Sequence, residues 1–182
     1  MRAIVSVLDD SSRVLVEHLW SGIEREFGIE PPYTQPVPHF TYHVAETYAP
    51  ERLQPLLREV AARHASFRVR AGGLGLFTGK KLVLHVPLVR NSVMNRIQCD
   101  LWESLEGTCA SAVQHFHPES WIPHVTLAYH GLTDALLPDL VRWLAERSFS
   151  WEVRVDHLAV IEEYGAAPVE PIPLGGAFSQ LR

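Results

Sequence analysis

Val37-Pro38-His39-Phe40-Thr41 and Ile122-Pro123-His124-Val125-Thr126 are one phrase, aliphatic-Pro-His-x-Thr, written twice at an offset of 85 residues (39 to 124). The agreement continues on both sides. Phe67-Arg68-Val69-Arg70 lies beside Trp151-Glu152-Val153-Arg154, and Leu74 beside Leu158, at an offset of 84 (67 to 151). Upstream, Leu19-Trp20 matches Leu101-Trp102 at 82 (19 to 101). A drift of a few residues over half a chain is what changes of loop length leave in a duplicated unit. The repeat divides the chain at approximately 1–79 and 80–162, with a tail over 163–182.

Both copies follow one order of elements. Residues 2–8 are apolar and β-branched and are expected to form a strand. Residues 11–27 carry Val14, Val16, Leu19, Ile23 and Phe27 at helical spacing, between a Ser11-Ser12 start and Gly28. The Pro-rich stretch 31–38 reads as a rigid loop that delivers a strand at 39–45. A helix at 51–64, a long strand at 67–77, a turn at Gly79-Lys80 and a strand at 81–88 follow. The second half is expected to give a helix at 92–107, a loop from His115 to Pro123, strand 124–130, helix 134–147 and strand 150–162. The Pro/Gly-rich tail reads as irregular. The expected fold class is α+β: two pseudo-twofold-related lobes, each a small, mainly antiparallel sheet with helices outside, forming a central groove. Together they make one two-lobed domain over 1–182.

Composition narrows the partners. Hydrophobic residues are 47% and charged residues 20%, which suits a chain that buries a core rather than a disordered one. A net charge of −5 supplies no global basic field, so a nucleic-acid substrate has to be short or held locally at an end. Cys99 and Cys109, both placed in the helical stretch, have neither a metal-knuckle nor a disulfide-scaffold pattern and read as free thiols in a reducing compartment. The apolar start, residues 1–8, is too short to span a membrane and runs into Asp9-Asp10. A cytoplasmic monomer with no membrane contact and no obligate protein partner is the expectation.

The chemistry lies in the repeated phrase. Strand alternation puts His39, Thr41 and His43 on one face, and His124, Thr126 and Ala128 on one face of the other strand, with Val125, Leu127 and Tyr129 behind. Two imidazoles across a phosphorus centre can divide phosphodiester cleavage: one neutral, taking a proton from water, the other protonated, giving one to the leaving alkoxide. Their free pKa near ~6.5 suits both roles near neutrality. The threonine hydroxyls can donate to non-bridging oxygens. One His-x-Thr alone would read as a structural histidine on a strand; two in register with a wider repeat reverse that reading.

The paired motifs and the duplicated plan resemble the 2H phosphoesterase superfamily, in particular its branch of 2′-5′ RNA ligase-like and RNA 2′,3′-cyclic phosphodiesterase proteins. The resemblance covers most of the chain, from strand 2–8 to strand 150–162. It implies His39 and His124 as the catalytic pair, Thr41 and Thr126 as phosphate binders, no cofactor and no metal, and RNA termini or small cyclic nucleotides as substrate. Two positions depart from the family pattern. Tyr42 and His43 follow the first motif where an aliphatic residue is usual. Tyr129 stands where many bacterial members carry arginine, as His-x-Thr-Leu-Ala-Arg. The departures favour cyclic-phosphate hydrolysis over ligation. A non-catalytic phosphate- or RNA-binding module is the reading from another class.

Several further residues are candidates with two readings each. His43 is either a third imidazole in the groove or a wall residue bonded to backbone or water. Phe116 and Trp121, near His115 and His117, either stack on a base or anchor the loop, the second being the commoner role. Tyr33 carries the same pair of readings, and Tyr129 is a further candidate for substrate contact. Arg70 and Arg154 either neutralise phosphate or lie on a solvated face. Residues 72–80, glycine-rich but without a Gly-Lys-Ser/Thr ending, read as a bulged strand and hairpin, with Lys80 and Lys81 at the groove rim.

Overall fold

A computed structural model describes residues 1–32, 37–162 and 171–175; Tyr33 and most of the tail lie outside the described residues. The first half runs β1 (Arg2–Val7), α1 (Asp10–Phe27), β2 (His39–Ala45), β3 (Thr47–Tyr48), α2 (Pro50–Ala62), β4 (Phe67–Gly72) and β5 (Gly75–Phe77). The second runs β6 (Val83–Pro87), α3 (Ser92–Leu105), β7 (Cys109–Ala110), β8 (His124–Ala128), α4 (Leu137–Ala145), β9 (Ser150–Val155) and β10 (His157–Glu162). β11 (Ile172–Pro173) then pairs with β10, so this part of the tail is strand rather than irregular.

Local chemistry explains where elements begin and end. α1 is capped by Asp9, not by a serine: its carboxylate accepts from the Ser12 amide at 3.1 Å and also from the Arg154 amide at 2.8 Å. One side chain thereby starts the helix and ties it to β9. Asn91 caps α3 in the same way through the Met94 amide. α3 ends at Leu105, which leaves Cys109 on β7 and outside the helix. Each of the two long strands expected in the repeat breaks into two, at Gly73 with its positive φ and at Asp156.

The sheets are antiparallel and draw on both halves. One has the order β11-β10-β1-β2, another β5-β6-β8, and β4 pairs with β9. In that last pair Val69 faces Val153, its own counterpart in the repeat, as a twofold relation between the copies requires. The helices are exchanged as well: α1 packs on β8 and β9, and α3 on β2. Gly22 makes room in α1 for the Trp143 ring of α4, which also meets Phe27 edge-on at 5.8 Å. The shared core includes Ile4, Phe40, Tyr42, Leu57, Leu101 and Leu127.

A β-bulge follows each motif. The β1–β2 register passes from Val5 opposite Thr41 to Ile4 opposite His43, skipping Tyr42; the β6–β8 register passes from His85 opposite Thr126 to Leu84 opposite Ala128, skipping Leu127. An extra residue inverts the alternation beyond it. His43 therefore shares the interior face with Ile4 instead of lying beside His39 and Thr41. Ala128, the last residue of β8, likewise joins Leu84 in the core instead of lying beside His124 and Thr126. Straight alternation placed both His43 and Ala128 on the wrong side.

Candidate active site

β2 and β8 are edge strands, and they lie against each other. An edge exposes unpaired backbone groups, and here they are bound by side chains. The Trp121 indole donates to the Thr41 carbonyl at 2.8 Å, and the Trp20 indole of α1 to the Thr126 carbonyl at 3.1 Å. Gln98 of α3 donates to the Tyr42 carbonyl at 2.9 Å. Both His-x-Thr segments are thus fixed to elements of the opposite half, which holds their side chains in a preset geometry.

The two histidines are held alike. His39 donates from Nδ1 to the carbonyl of Val37, and His124 from Nδ1 to that of Ile122, each at 2.7 Å. A carbonyl only accepts, so each Nδ1 carries the proton and each Nε2 keeps its lone pair. Burial lowers the pKa of His39, opposed by its carbonyl bond. Burial brings His124 to about 4, against the pull of the Ile122 carbonyl and with further lowering by His85 and His39. That last effect requires the His39 and His124 rings to feel each other's charge. Thr41 and Thr126 are half-buried, and among the described residues neither hydroxyl has a hydrogen-bond partner. Two neutral bases and two uncommitted hydroxyl donors suit an anion with exchangeable protons.

A third imidazole belongs to this cluster, and sequence reasoning missed it. His85 of β6, 3% exposed, lies opposite Thr126 where the other lobe has Val5 opposite Thr41. Its ring centroid is 5.0 Å from that of His124, and Phe77 stacks on it at 4.1 Å while meeting His124 edge-on at 4.9 Å. The signal was the parity of β6 once paired to β8. His85 fits there because Gly75 faces it: a methyl at Gly75 would overlap the imidazole at Nε2, Cε1 and Cδ2. Gly75→Ala is expected to cost about 1–3 kcal/mol by overpacking and to reduce activity by shifting the ring beside His124. A urea midpoint equal to that of the wild type would contradict this packing.

The other candidates are dispersed. His43 is 2% exposed, with Nδ1 2.6 Å from the Tyr48 hydroxyl and its ring beside Trp102, far from a groove role. Trp121 is buried, stacked on Tyr42 at 5.5 Å, so it anchors the loop. Phe116 packs half-buried on the core and offers its carbonyl to Gln98. His117 lies edge-on to Trp102, and His115 is exposed. Arg70 and Arg154 are exposed on the β4–β9 pair, the latter beside Asp156. Tyr129, half-buried, accepts from Lys81 Nζ at 3.1 Å. Among the described residues no group of three or more His, Cys, Asp or Glu is placed to hold a metal ion, and no helix is long and apolar enough to cross a membrane.

Comparison with known proteins shows the family and the fold. The family profile described as the 2′-5′ RNA ligase superfamily matches residues 8–167. No curated protein sequence matches the chain. Among solved structures the chain is similar to TT0787 of Thermus thermophilus, at 19% identity over 97% of this chain and 99% of that one, with a TM-score of 0.66. It is similar to E. coli LigT complexed with 3′-AMP, at 13% identity over 96% and 97% of the two chains, TM-score 0.61. Usb1 of Kluyveromyces marxianus is a further likeness, at 12% identity over 95% and 97%, TM-score 0.53. At such identities these structures establish a shared fold.

Proposed function

The chain belongs to the 2′-5′ RNA ligase superfamily, a group of 2H phosphoesterases, and from that premise we propose that it is a metal-independent phosphodiesterase that opens 2′,3′-cyclic phosphates. The observation that carries the reading is the matched pair of imidazoles, His39 and His124, each with Nδ1 bound to the carbonyl two residues earlier. That E. coli LigT is seen complexed with 3′-AMP supports a nucleotide ligand.

In this mechanism one neutral imidazole takes a proton from water at Nε2 as the water oxygen bonds to phosphorus. The other, protonated at Nε2, gives its proton to the departing 2′ or 3′ oxygen, and the ring P–O bond breaks. The hydroxyls of Thr41 and Thr126 donate to the non-bridging oxygens as their charge grows. Both imidazoles are held neutral in the empty site, so the acid acquires its proton when the phosphate anion arrives and raises its pKa. With a 5′-hydroxyl in place of water as the attacking group, the same ring opening would join a cyclic phosphate end to a hydroxyl end, without ATP.

The direct test is incubation with 2′,3′-cyclic nucleotides and short RNAs ending in a cyclic phosphate, in EDTA. A nucleoside monophosphate or a phosphate-ended RNA is the expected product; no turnover of either substrate would remove the proposal. The pH profile gives a second check. The reacting complex carries one proton on the pair that must be bound from solution by the free enzyme or with the substrate, and both members titrate below the ordinary 6.5 in the free enzyme. The optimum of kcat/KM is therefore expected on the acid side of 6.5, falling about tenfold per pH unit above the higher pKa. The kcat profile should extend to higher pH, because bound phosphate raises the acid's pKa. A kcat/KM that climbs from pH 6 to 9 would contradict the assignment.

A further inference from the structure

We infer that His85 is a third proton-binding group of this site, a positioning residue that takes up a proton when an anionic phosphate enters the groove and thereby keeps His124 proton-free as the base, with His39 as the acid. The inference rests on the catalytic reading above and deepens it, by deciding how the two histidines divide their work.

Strand order supplies the geometry. β2 lies against β8, and β8 pairs with β6, so His39, His124 and His85 come from three neighbouring strands in that order. His124 is the middle member. Its ring centroid is 5.0 Å from that of His85, and both His85 and His39 lower its pKa. β5 brings Gly75 and Phe77 to this place, and neither ionises. Among the described residues the titratable groups facing His85 and His124 are therefore each other and His39. The other lobe has no counterpart, since Val5 stands opposite Thr41 where His85 stands opposite Thr126.

His85 is also held as the catalytic pair is. Its Nδ1 lies 3.2 Å from the carbonyl of Val83, two residues earlier, so Nδ1 carries the proton and Nε2 the lone pair. Nε2 has no hydrogen-bond partner among the described residues. Nor is it one of the polar atoms sealed from solvent without a partner, which among those residues are Gln98 Oε1, Thr108 Oγ1 and Trp151 Nε1. A proton from solution can reach it.

Repulsion decides where protons go. Two unit charges at the 5.0 Å between the His85 and His124 rings oppose each other by ~2 pH units at an effective dielectric constant of ~20. Two protons on a row of three imidazoles therefore take the ends and leave the middle one neutral. Burial keeps all three neutral at pH 7 in the empty groove. A bound phosphate reverses this, its negative charge drawing protons from solution onto His39 and His85. None of β2, β5, β6 and β8 carries a lysine or arginine, so protonated imidazoles are how these strands present positive charge to an anion. His124 then accepts the proton of water, and His39 gives its own to the leaving oxygen. His85 keeps its proton through the step and returns it to solution when the product leaves.

The test is NMR of protein carrying carbon-13 at the imidazole Cε1, with signals assigned from His39→Asn, His85→Asn and His124→Asn. Sodium sulfate is the probe, a tetrahedral anion with no proton of its own near neutrality, against sodium chloride at equal ionic strength. In the wild type at pH 6, sulfate is expected to move the His39 and His85 signals toward the imidazolium position and to leave His124 neutral. In His85→Asn, whose amide can still donate to the Val83 carbonyl, His124 in the sulfate complex should take its proton at a pH ~1–2 units higher than in the wild type. The acid limb of the kcat profile for a 2′,3′-cyclic nucleotide should rise by the same amount, whereas a merely structural loss lowers kcat evenly at every pH. A His85 signal that stays neutral while His39 responds overturns the inference and leaves the catalytic pair intact. So does a His124 titration unmoved in folded His85→Asn protein. If sulfate moves none of the three signals the inference falls, and turnover of cyclic nucleotides decides the catalytic reading separately.

Discussion

His39→Asn and His124→Asn are each expected to lower kcat for opening a 2′,3′-cyclic phosphate by ~10²–10⁴, the usual worth of one positioned proton transfer. Asparagine is the informative replacement. Its amide can still donate to the carbonyl of Val37 or Ile122, whereas alanine would leave that carbonyl unpaired at a cost of about 1–3 kcal/mol. Loss of catalysis is thereby separated from loss of fold. The double variant should be little worse than the poorer single one, because both transfers belong to one transition state and groups that act as a unit do not add. Thr41→Val and Thr126→Val remove only a donor to a non-bridging oxygen, and are expected to cost less, ~10–10³ each. Initial rates and urea midpoints on the same preparations make the measurement. A folded His39→Asn or His124→Asn protein that keeps a tenth or more of wild-type kcat would exclude that residue from acid–base chemistry.

How far the sequence carries this site can be argued residue by residue. β2 and β8 are legible because Pro-His-x-Thr recurs, and the repeat supplies the context that a lone tripeptide lacks. The bulges are not legible. Tyr42 and Leu127, the extra residues, are ordinary strand residues, neither glycine nor a turn former, and nothing local announces that the partner strand skips them. Alternation counted straight through sends His43 and Ala128 into the groove, the reverse of what is observed. His85 escapes for a different reason: its strand carries no motif, and its place beside His124 follows only from the pairing of β6 with β8. The exchange of helices is equally hidden. That Trp20 steadies Thr126 rather than its own half's Thr41 depends on which sheet α1 covers, and amphipathic periodicity is the same for either. The two-residue pairing of β3 with β7 is too short to leave a pattern.

The misplacement of His43 has a large consequence for stability. In the core, against Tyr48 and Trp102, its imidazole is desolvated and its pKa falls to about 4. The unfolded chain keeps the ordinary 6.5. As pH drops, unfolded protein therefore binds the proton first: the contribution is complete above about 6.5 and lost on the way down to about 4. Linkage over that interval is worth about 3 kcal/mol at pH 4, a large part of the margin of a domain this size. His39, His85 and His124 are lowered in the same direction and add to the acid sensitivity. Urea unfolding at pH 7.5 and pH 4 should accordingly show a steep fall in the wild type and a fall about 3 kcal/mol smaller in His43→Asn, which cannot titrate. Neutral-pH stability of that variant is expected to be lower, since the Tyr48 hydroxyl loses a well-placed partner, so the decisive quantity is the difference between the two pH values within each protein. Equal differences in the two proteins would mean that His43 is hydrated in solution, and would return it to the groove face where straight alternation put it.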